Sequence, residues 1–295
     1  MVATRLPHGE VVHISAPPAA VSTIREYALS LLEIPTLASK LAPAPSGLDD
    51  STPGQALRVP VPARPEGLGF SHKRVKMPKL GGLHLERKRG VALHRFANHE
   101  LQAIEIMAWA LLAFPDAPKA LRRGLVQIIK EEQLHMGLYM ARCVDFSLTF
   151  GELPVNDYFW KKVSSWTNLL HYVAAMSLTF EAANLDFAQD FEAAFRAAGD
   201  DLSADIIAKV HSDEIGHVRF GVMWMKRLAE EGATQWDAFV DNLVFPLHPA
   251  RARGKNMDLE ARRAAGMDDA FLETLAGLDA AIIARELGRR GPGRS

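Results

Sequence analysis

The chain holds one cysteine, Cys143, in 295 residues. A single thiol can neither close a disulfide within the chain nor build a cysteine-ligated zinc or iron–sulfur site. We read Cys143 as a small apolar helix residue, with a redox thiol as the alternative. Long hydrophobic runs are lacking as well. None reaches the ~18 apolar residues that span a bilayer, and the first ten residues carry no continuous apolar stretch of the secretory kind. A cytoplasmic location without membrane contact is the expectation. Nor is there an excess of charge of one sign: 34 Lys and Arg face 35 Asp and Glu, a formal net charge of −1. No whole-molecule field therefore draws in nucleic acid, and only a local patch could.

What is present is a globular composition, 48% hydrophobic and 23% charged, in a chain long enough to bury a sizeable core. Three stretches differ in character. The first, residues 1–90, is an N-terminal helix and a proline-rich basic arm. Residues 1–18 show no clear period. From about Val21 to Ala38, Ile24, Tyr27, Ala28, Leu31 and Leu32 recur at helical spacing, with a break near Pro35. Residues 42–90 are irregular, because Pro43, Pro45, Pro53, Pro60, Pro62, Pro65 and Pro78 remove amide donors. The second half of this arm carries Lys73, Arg74, Lys76, Lys79, Arg87, Lys88 and Arg89 against Glu86 alone. We read it as a solvated strap on the helices; a contact to phosphate or RNA through residues 72–90 is the alternative.

The second stretch, residues 91–231, turns to long helical periods. Four helices are expected, over 91–114, 118–148, 159–197 and 202–231. They are separated by Phe114-Pro-Asp-Ala-Pro118, in which Asp116 is a candidate cap, by Gly151–Asp157, and by Gly199-Asp200, a C′ glycine and an N-cap aspartate. The third stretch, residues 232–295, reads as a short helix over 234–244, a basic segment at 251–256, a last helix over 267–287 and a frayed tail from Gly288.

Two of the four helices repeat one motif. Glu132-Gln-Leu-His135 and Glu214-Ile-Gly-His217 each place a carboxylate and an imidazole three residues apart, on one helix face. Glu100 and Glu181 stand upstream of them, one in each remaining helix. A helical bundle that takes one Glu from two helices and a Glu-x-x-His pair from the other two can hold two metal ions. The turns support the pairing. The midpoint of Glu100 and Glu132 is Asp116, and that of Glu181 and Glu214 falls between Ala197 and Ala198, so each pair meets across its own hairpin. The hairpins also repeat, since Glu100 to Glu181 spans 81 residues and His135 to His217 spans 82. If the two middle helices run parallel, residues 149–158 must cross the length of the bundle, which about ten extended residues can just do at ~3.3 Å each. Four carboxylates and two imidazoles neutralise two divalent ions and leave positions open for dioxygen; Fe/Fe, Mn/Fe and Mn/Mn all suit these donors.

Other residues are read against this set. Glu131 and Asp213 precede the paired Glu residues; each is either an acceptor for a metal-bound imidazole or a solvated carboxylate. Glu105 lies five residues beyond Glu100, roughly 140° around the helix, so both cannot aim at one point; Glu100 is kept as the ligand. Glu105 and its counterpart 81 residues on, Asp186, are read as charges on exposed helix faces, with acids flanking the site as the alternative. His211, one turn before Glu214, either lines the pocket or is a hydrogen-bonded structural histidine. Tyr139, one turn beyond His135, can reach the site. His94, His99 and His171 are treated as ordinary, and Trp109, Trp166 and Trp224 as core. A bundle whose Glu and His are all surface residues is disfavoured, because Leu125, Ile128 and Met136 share the face of Glu132 and Ile207, Val210 and Val218 that of Glu214.

Glu100-Leu-Gln-Ala-Ile with Glu132-x-x-His135, then Phe180-Glu181-Ala-Ala-Asn with Asp213-Glu214-Ile-Gly-His217, resembles the ferritin-like superfamily of di-iron carboxylate proteins. With Phe114-Pro-Asp-Ala-Pro118, Pro249-Ala-Arg-Ala-Arg-Gly254 and Glu260-Ala-Arg-Arg-Ala-Ala-Gly266, the whole looks like the bacterial family catalogued as domain of unknown function 455. The resemblance implies an all-α, ferritin-like four-helix bundle and a non-haem dimetal centre, but no substrate. The expected function is that of a dioxygen-activating di-iron oxidase or hydroxylase. It would act on a small molecule or an RNA, draw on an external electron donor, and tolerate a homodimeric state. A ferroxidase or peroxide-consuming protein and a metal-free binding bundle are the alternatives.

Overall fold

The computed structural model describes residues 21–73 and 75–278, together with the backbone of two short strands. These strands, β1 (Val2–Arg5) and β2 (Val11–Ile14), pair antiparallel in a stretch whose sequence shows no period. The described residues are otherwise helical or irregular, and the all-α expectation holds for them. None of their helices is long and apolar enough to cross a membrane. Arg74, the tail from Gly288 and the end of the last expected helix lie outside the described residues.

By contacts the chain forms two compact units, one of residues 1–164 and 194–206, the other of 165–193 and 207–295. This division cuts across the three sequence stretches. In the first unit, α1 (Ile24–Glu33) starts at a capping box, with Thr23 accepting from the Glu26 amide and Glu26 reaching back. Pro35 ends it, and Thr36 caps a further turn, α2 (Leu37–Lys40). The unit's spine is a hairpin of α3 (Glu86–Ala113) and α4 (Lys119–Asp145), packed along each other. Helix α3 begins five residues earlier than its period suggests. The turn between them lacks the expected Asp116 cap: Pro118 is the N-cap and makes no side-chain cap bond. Gly199 (φ 73°) and Asp200 do perform as read, the aspartate accepting from the Ser203 amide at 3.1 Å.

The proline-rich arm is fastened to the helices through residues 50 to 64. Arg122 holds Asp50 at 2.9 Å with both side chains buried. The amides of Leu57 and Ala63 donate to the carbonyls of Leu112 and Leu32 at 2.9 and 2.7 Å. Arg64 forms a fork on Glu105, at 2.6 Å from Nη2 and 3.1–3.2 Å from Nε, and stacks its guanidinium 4.0 Å from the Phe70 ring. Asp50, Leu57, Ala63 and Arg64 thus find partners on the helices, as buried polar groups must. Its outer basic residues Lys73, Lys76, Lys79, Arg87 and Lys88 remain exposed.

The crossing connection is longer than residues 149–158 and is guided by a polar stripe on α3. His94, Asn98 and Gln102 lie four apart, on one face. His94 Nε2 accepts from the Gly151 amide at 3.1 Å, Asn98 Nδ2 reaches the Asn156 carbonyl at 3.4 Å, and Gln102 Oε1 accepts from the amides of Phe159 and Trp160 at 3.1 and 3.2 Å. The third expected helix is accordingly broken. A 3₁₀ turn (Trp160–Ser165) comes first, and a new start capped by Asn168 opens α5 (Leu169–Ala175). A π-helical segment (Met176–Glu181) and α6 (Ala182–Ala197) follow.

In the second unit, α7 (Asp201–Leu228), most of which lies here, is followed by α8 (Gln235–Asp241), a 3₁₀ turn (Pro249–Ala252), α9 (Leu259–Ala264) and α10 (Asp269–Gly277). Helix α9 was not expected from the sequence. Trp236, Phe239 and Phe271 pack ring to ring at 5.4–5.9 Å to tie α8 to α10.

Candidate metal centre

The first unit carries Glu100 on α3 and Glu132 and His135 on α4. All three are buried, at 6%, 1% and 0% exposure. Each offers a ligand atom, and these atoms lie within 4.8 Å of one another. The three-residue spacing works as read: His135 Nδ1 stands 3.5 Å from Glu132 Oε2. Equal distance from the 114–118 turn explains why Glu100 meets this pair.

The second unit carries the matching residues. Glu181 closes the π segment, and Glu214 and His217 lie on α7, at 4%, 2% and 1% exposure. Ligand-capable atoms of Glu181 and His217 come within 4.8 Å, and His217 Nδ1 is 3.4 Å from Glu214 Oε2. Asn184 donates to the other Glu214 oxygen at 3.1 Å. The π turn is where the helix carrying Glu181 departs from regularity. Thr179 Oγ1 donates to the Ala174 carbonyl at 2.8 Å, taking up an acceptor at the widened turn. Single π turns inside α-helices concentrate at functional sites.

These residues fit a divalent cation. A buried carboxylate is costly unless it is paired or bound to metal. Glu214 Oε2 has no hydrogen-bond partner, and its neighbour His217 stands beyond the usual 2.7–3.2 Å of an N–H···O bond. Two donors held at about 2.1 Å from one ion are separated by roughly 3.0–3.5 Å, the spacing both Glu–His pairs adopt. Carboxylate and neutral imidazole together suit iron or manganese rather than a thiol-seeking ion. Near Glu100, burial and the charge of Arg95 hold the His99 imidazole down to about 3, so it brings no positive charge of its own.

The remaining candidates have partners of their own. Glu105 and Asp186 are not on exposed faces: both are fully buried. Glu105 takes Lys40 at 3.2 Å and Arg64 at 2.6 Å. Asp186 takes Arg262 at 2.7 Å and the amides of Gly254 and Asp258, each at 2.8 Å. Each is an anchor for a terminal segment, with its charge compensated by a distant cation. Their burial was invisible because those partners are 41 to 76 residues away. Glu131 accepts from Gln127 at 2.9 Å and Asp213 pairs with Lys209, in both cases with the residue one turn earlier on the same helix. His211 Nε2 lies 3.1 Å from Asp258 Oδ2 and so joins the segment after Gly254. Tyr139 is buried with its ring 5.3 Å from Phe96. Cys143 is buried, and burial pushes its thiol up to about 12, which fits the apolar reading rather than the redox one.

The chain belongs to the family described as "Protein of unknown function (DUF455)", whose model matches residues 26–273. No curated protein and no solved structure matches it.

Proposed function

We propose that this member of the family is a dioxygen-activating dimetal oxidase or hydroxylase built on a ferritin-like four-helix bundle. Glu100, Glu132, His135, Glu181, Glu214 and His217 would hold its two ions, iron in the first instance. The observation that carries the reading is the duplication: each compact unit brings one buried Glu and one buried Glu-x-x-His pair, and in each pair the donors stand 3.4–3.5 Å apart. The separation of 81 to 82 residues between equivalent donors supports assigning both sets to one pseudo-symmetric centre.

A ferrous pair in such a centre would supply the electrons and open coordination positions that dioxygen reduction requires. The chain's own contribution is positional and electrostatic. Four glutamates balance the charge of two divalent ions, and two imidazoles complete the donor set without adding charge. Asn184 fixes one oxygen of Glu214, leaving the other to face a cation. Burial of all six side chains keeps bulk water from competing for them. The substrate is a small organic molecule or an RNA reached through the exposed lysines and arginines between residues 73 and 88.

Elemental analysis of aerobically purified protein, beside the Glu132→Ala variant, tests the reading. About two iron or manganese ions per chain, lost in the variant, support it; protein free of both metals overturns it. Anaerobic Fe(II) loading followed by an O₂ pulse then separates the activities. Consumption of oxygen that rises with an added organic substrate or RNA marks an oxygenase or oxidase. Accumulation of a ferric core, or rapid loss of added peroxide, marks the ferroxidase or peroxidase alternative.

A further inference from the structure

Gly221 lies on α7 one turn beyond His217, and Ser177 lies in the π segment four residues before Glu181. A Cβ placed on Gly221 would stand 2.2 Å from the Cβ of Ser177, 3.0 Å from its Oγ and 3.6 Å from its Cα. Carbon atoms in contact rest about 3.5–4.0 Å apart. The conflict is with an atom attached directly to the Ser177 backbone, and Ser177 is buried, so a rotamer change does not relieve it. The two segments would have to part by more than about 1 Å. Glycine inside a helix is also disfavoured relative to alanine, so its place here needs a reason of this kind. Gly216, on the same helix, is exposed and has nothing within 4 Å of an added Cβ.

We infer that Gly221 is a positioning residue for the metal centre: its bare backbone lets α7 approach the π segment closely enough for His217 and Glu181 to serve the same ion. This contact sits one turn from each ligand, and the ligand atoms of Glu181 and His217 are within 4.8 Å as a result. Metal–ligand distances tolerate only about ±0.2 Å, so a displacement of more than about 1 Å between the two elements removes one of these donors from reach. The inference rests on the dimetal reading above. It adds that the spacing of one unit's ligands is set by a glycine that itself touches no metal.

The test is an anaerobic Co(II) titration of the full chain, read by ligand-field absorption, with helix content followed by circular dichroism. Wild type is expected to take up two equivalents. Gly221→Ala is expected to keep its helix content while binding of one equivalent weakens by about 10- to 100-fold, the range seen when supporting residues around a metal are changed. Gly216→Ala, the same exchange at an open position, leaves both equivalents unchanged. The double variant Ser177→Gly with Gly221→Ala moves the missing methyl to the facing segment and restores the second equivalent. Two equivalents at wild-type affinity in Gly221→Ala, or a folded double variant that binds no better than Gly221→Ala, overturns the inference and leaves the dimetal reading intact. A wild type that binds no metal overturns both. If Gly221→Ala does not fold, the double variant decides: two tight equivalents support the inference and fewer overturn it.

Discussion

Arg262 and Asp186 are both fully buried and meet at 2.7 Å although 76 residues separate them. The same guanidinium donates to the carbonyls of Ala182, at 2.9 Å, and Ala252, at 2.8 Å. Ala182 directly follows Glu181. One cation therefore ties the segment around Ala252 to the helix that carries Glu181. Arg262→Met leaves the Asp186 carboxylate buried beside only the Gly254 and Asp258 amides. It is expected to cost about 3–5 kcal/mol, the usual penalty for breaking a buried pair. Asp186→Asn leaves the Arg262 charge buried without its anion and turns an amide NH2 towards groups that are themselves donors. It is expected to cost a similar amount, about 3–5 kcal/mol. Urea unfolding of the two variants checks both losses.

The grouping of the candidate residues was legible in the sequence because helical geometry converts spacing into direction. Glu132 and His135, or Glu214 and His217, face one point on any α-helix, and the turn at 114–118 fixes the level at which Glu100 meets them. Three features escaped. The π turn at 176–181 departs from the 3.6-residue period for one turn only, too short a stretch for periodicity to register. Asp186 looked exposed since nothing near it in sequence neutralises it, while Arg262 arrives from the far end of the chain. The break between Trp160 and Asn168 follows from Gln102 accepting two amides of the crossing segment, a tertiary bond that no local pattern encodes. The new start after the break does carry a local signal, Asn168 as an N-cap ahead of an apolar run.

Removing metal is expected to destabilise the protein more than a surface ligand would, because Glu100, Glu132, Glu181 and Glu214 then share the interior as carboxylates. Glu214→Gln separates the two roles of that side chain. Its amide oxygen can still accept from Asn184, while the charge is gone. The variant is expected to be about 1–2 kcal/mol more stable than chelated wild type and to gain little from added Mn(II). Wild type gains stability as the ion is added, by RT ln(1 + [L]/Kd). Thermal melts with and without chelator measure both.

Acid should weaken the crossing connection through His94. Burial, helped by the charge of Arg95, holds this imidazole down to about 4, against 6.5 when unfolded. Neutral His94 can accept from the Gly151 amide; the protonated ring cannot. Its contribution is complete above pH 6.5, where neither state binds the proton. It falls as pH drops from 6.5 towards about 4, since the unfolded chain protonates first, and levels off below that. His94→Gln can supply an acceptor that does not titrate. Comparing urea midpoints of the two proteins from pH 7 to pH 4 should show their difference shifting in favour of the variant across that window.

Glu105 faces two cations, Lys40 and Arg64, and all three side chains are at most 2% exposed. Removing either sign therefore has unequal consequences. Arg64→Met leaves a balanced Lys40–Glu105 pair, so the expected loss is about 1–2 kcal/mol, mainly the forked bond to the arm. Glu105→Gln leaves two like charges buried without their anion and should cost about 3–5 kcal/mol. Burial already lowers the ammonium pKa of Lys40, and only Glu105 opposes that shift. Without the carboxylate, folded Lys40 gives up its proton at lower pH than the unfolded chain does. The variant must then bind fewer protons folded than unfolded, and its stability should rise with pH on the alkaline side until unfolded Lys40 also deprotonates, near 10.5. A Glu105→Gln protein whose unfolding midpoint recovers between pH 7 and pH 10, beside an Arg64→Met protein that recovers less, would mark the carboxylate as the group that lets Lys40 of α2 and Arg64 of the arm be buried.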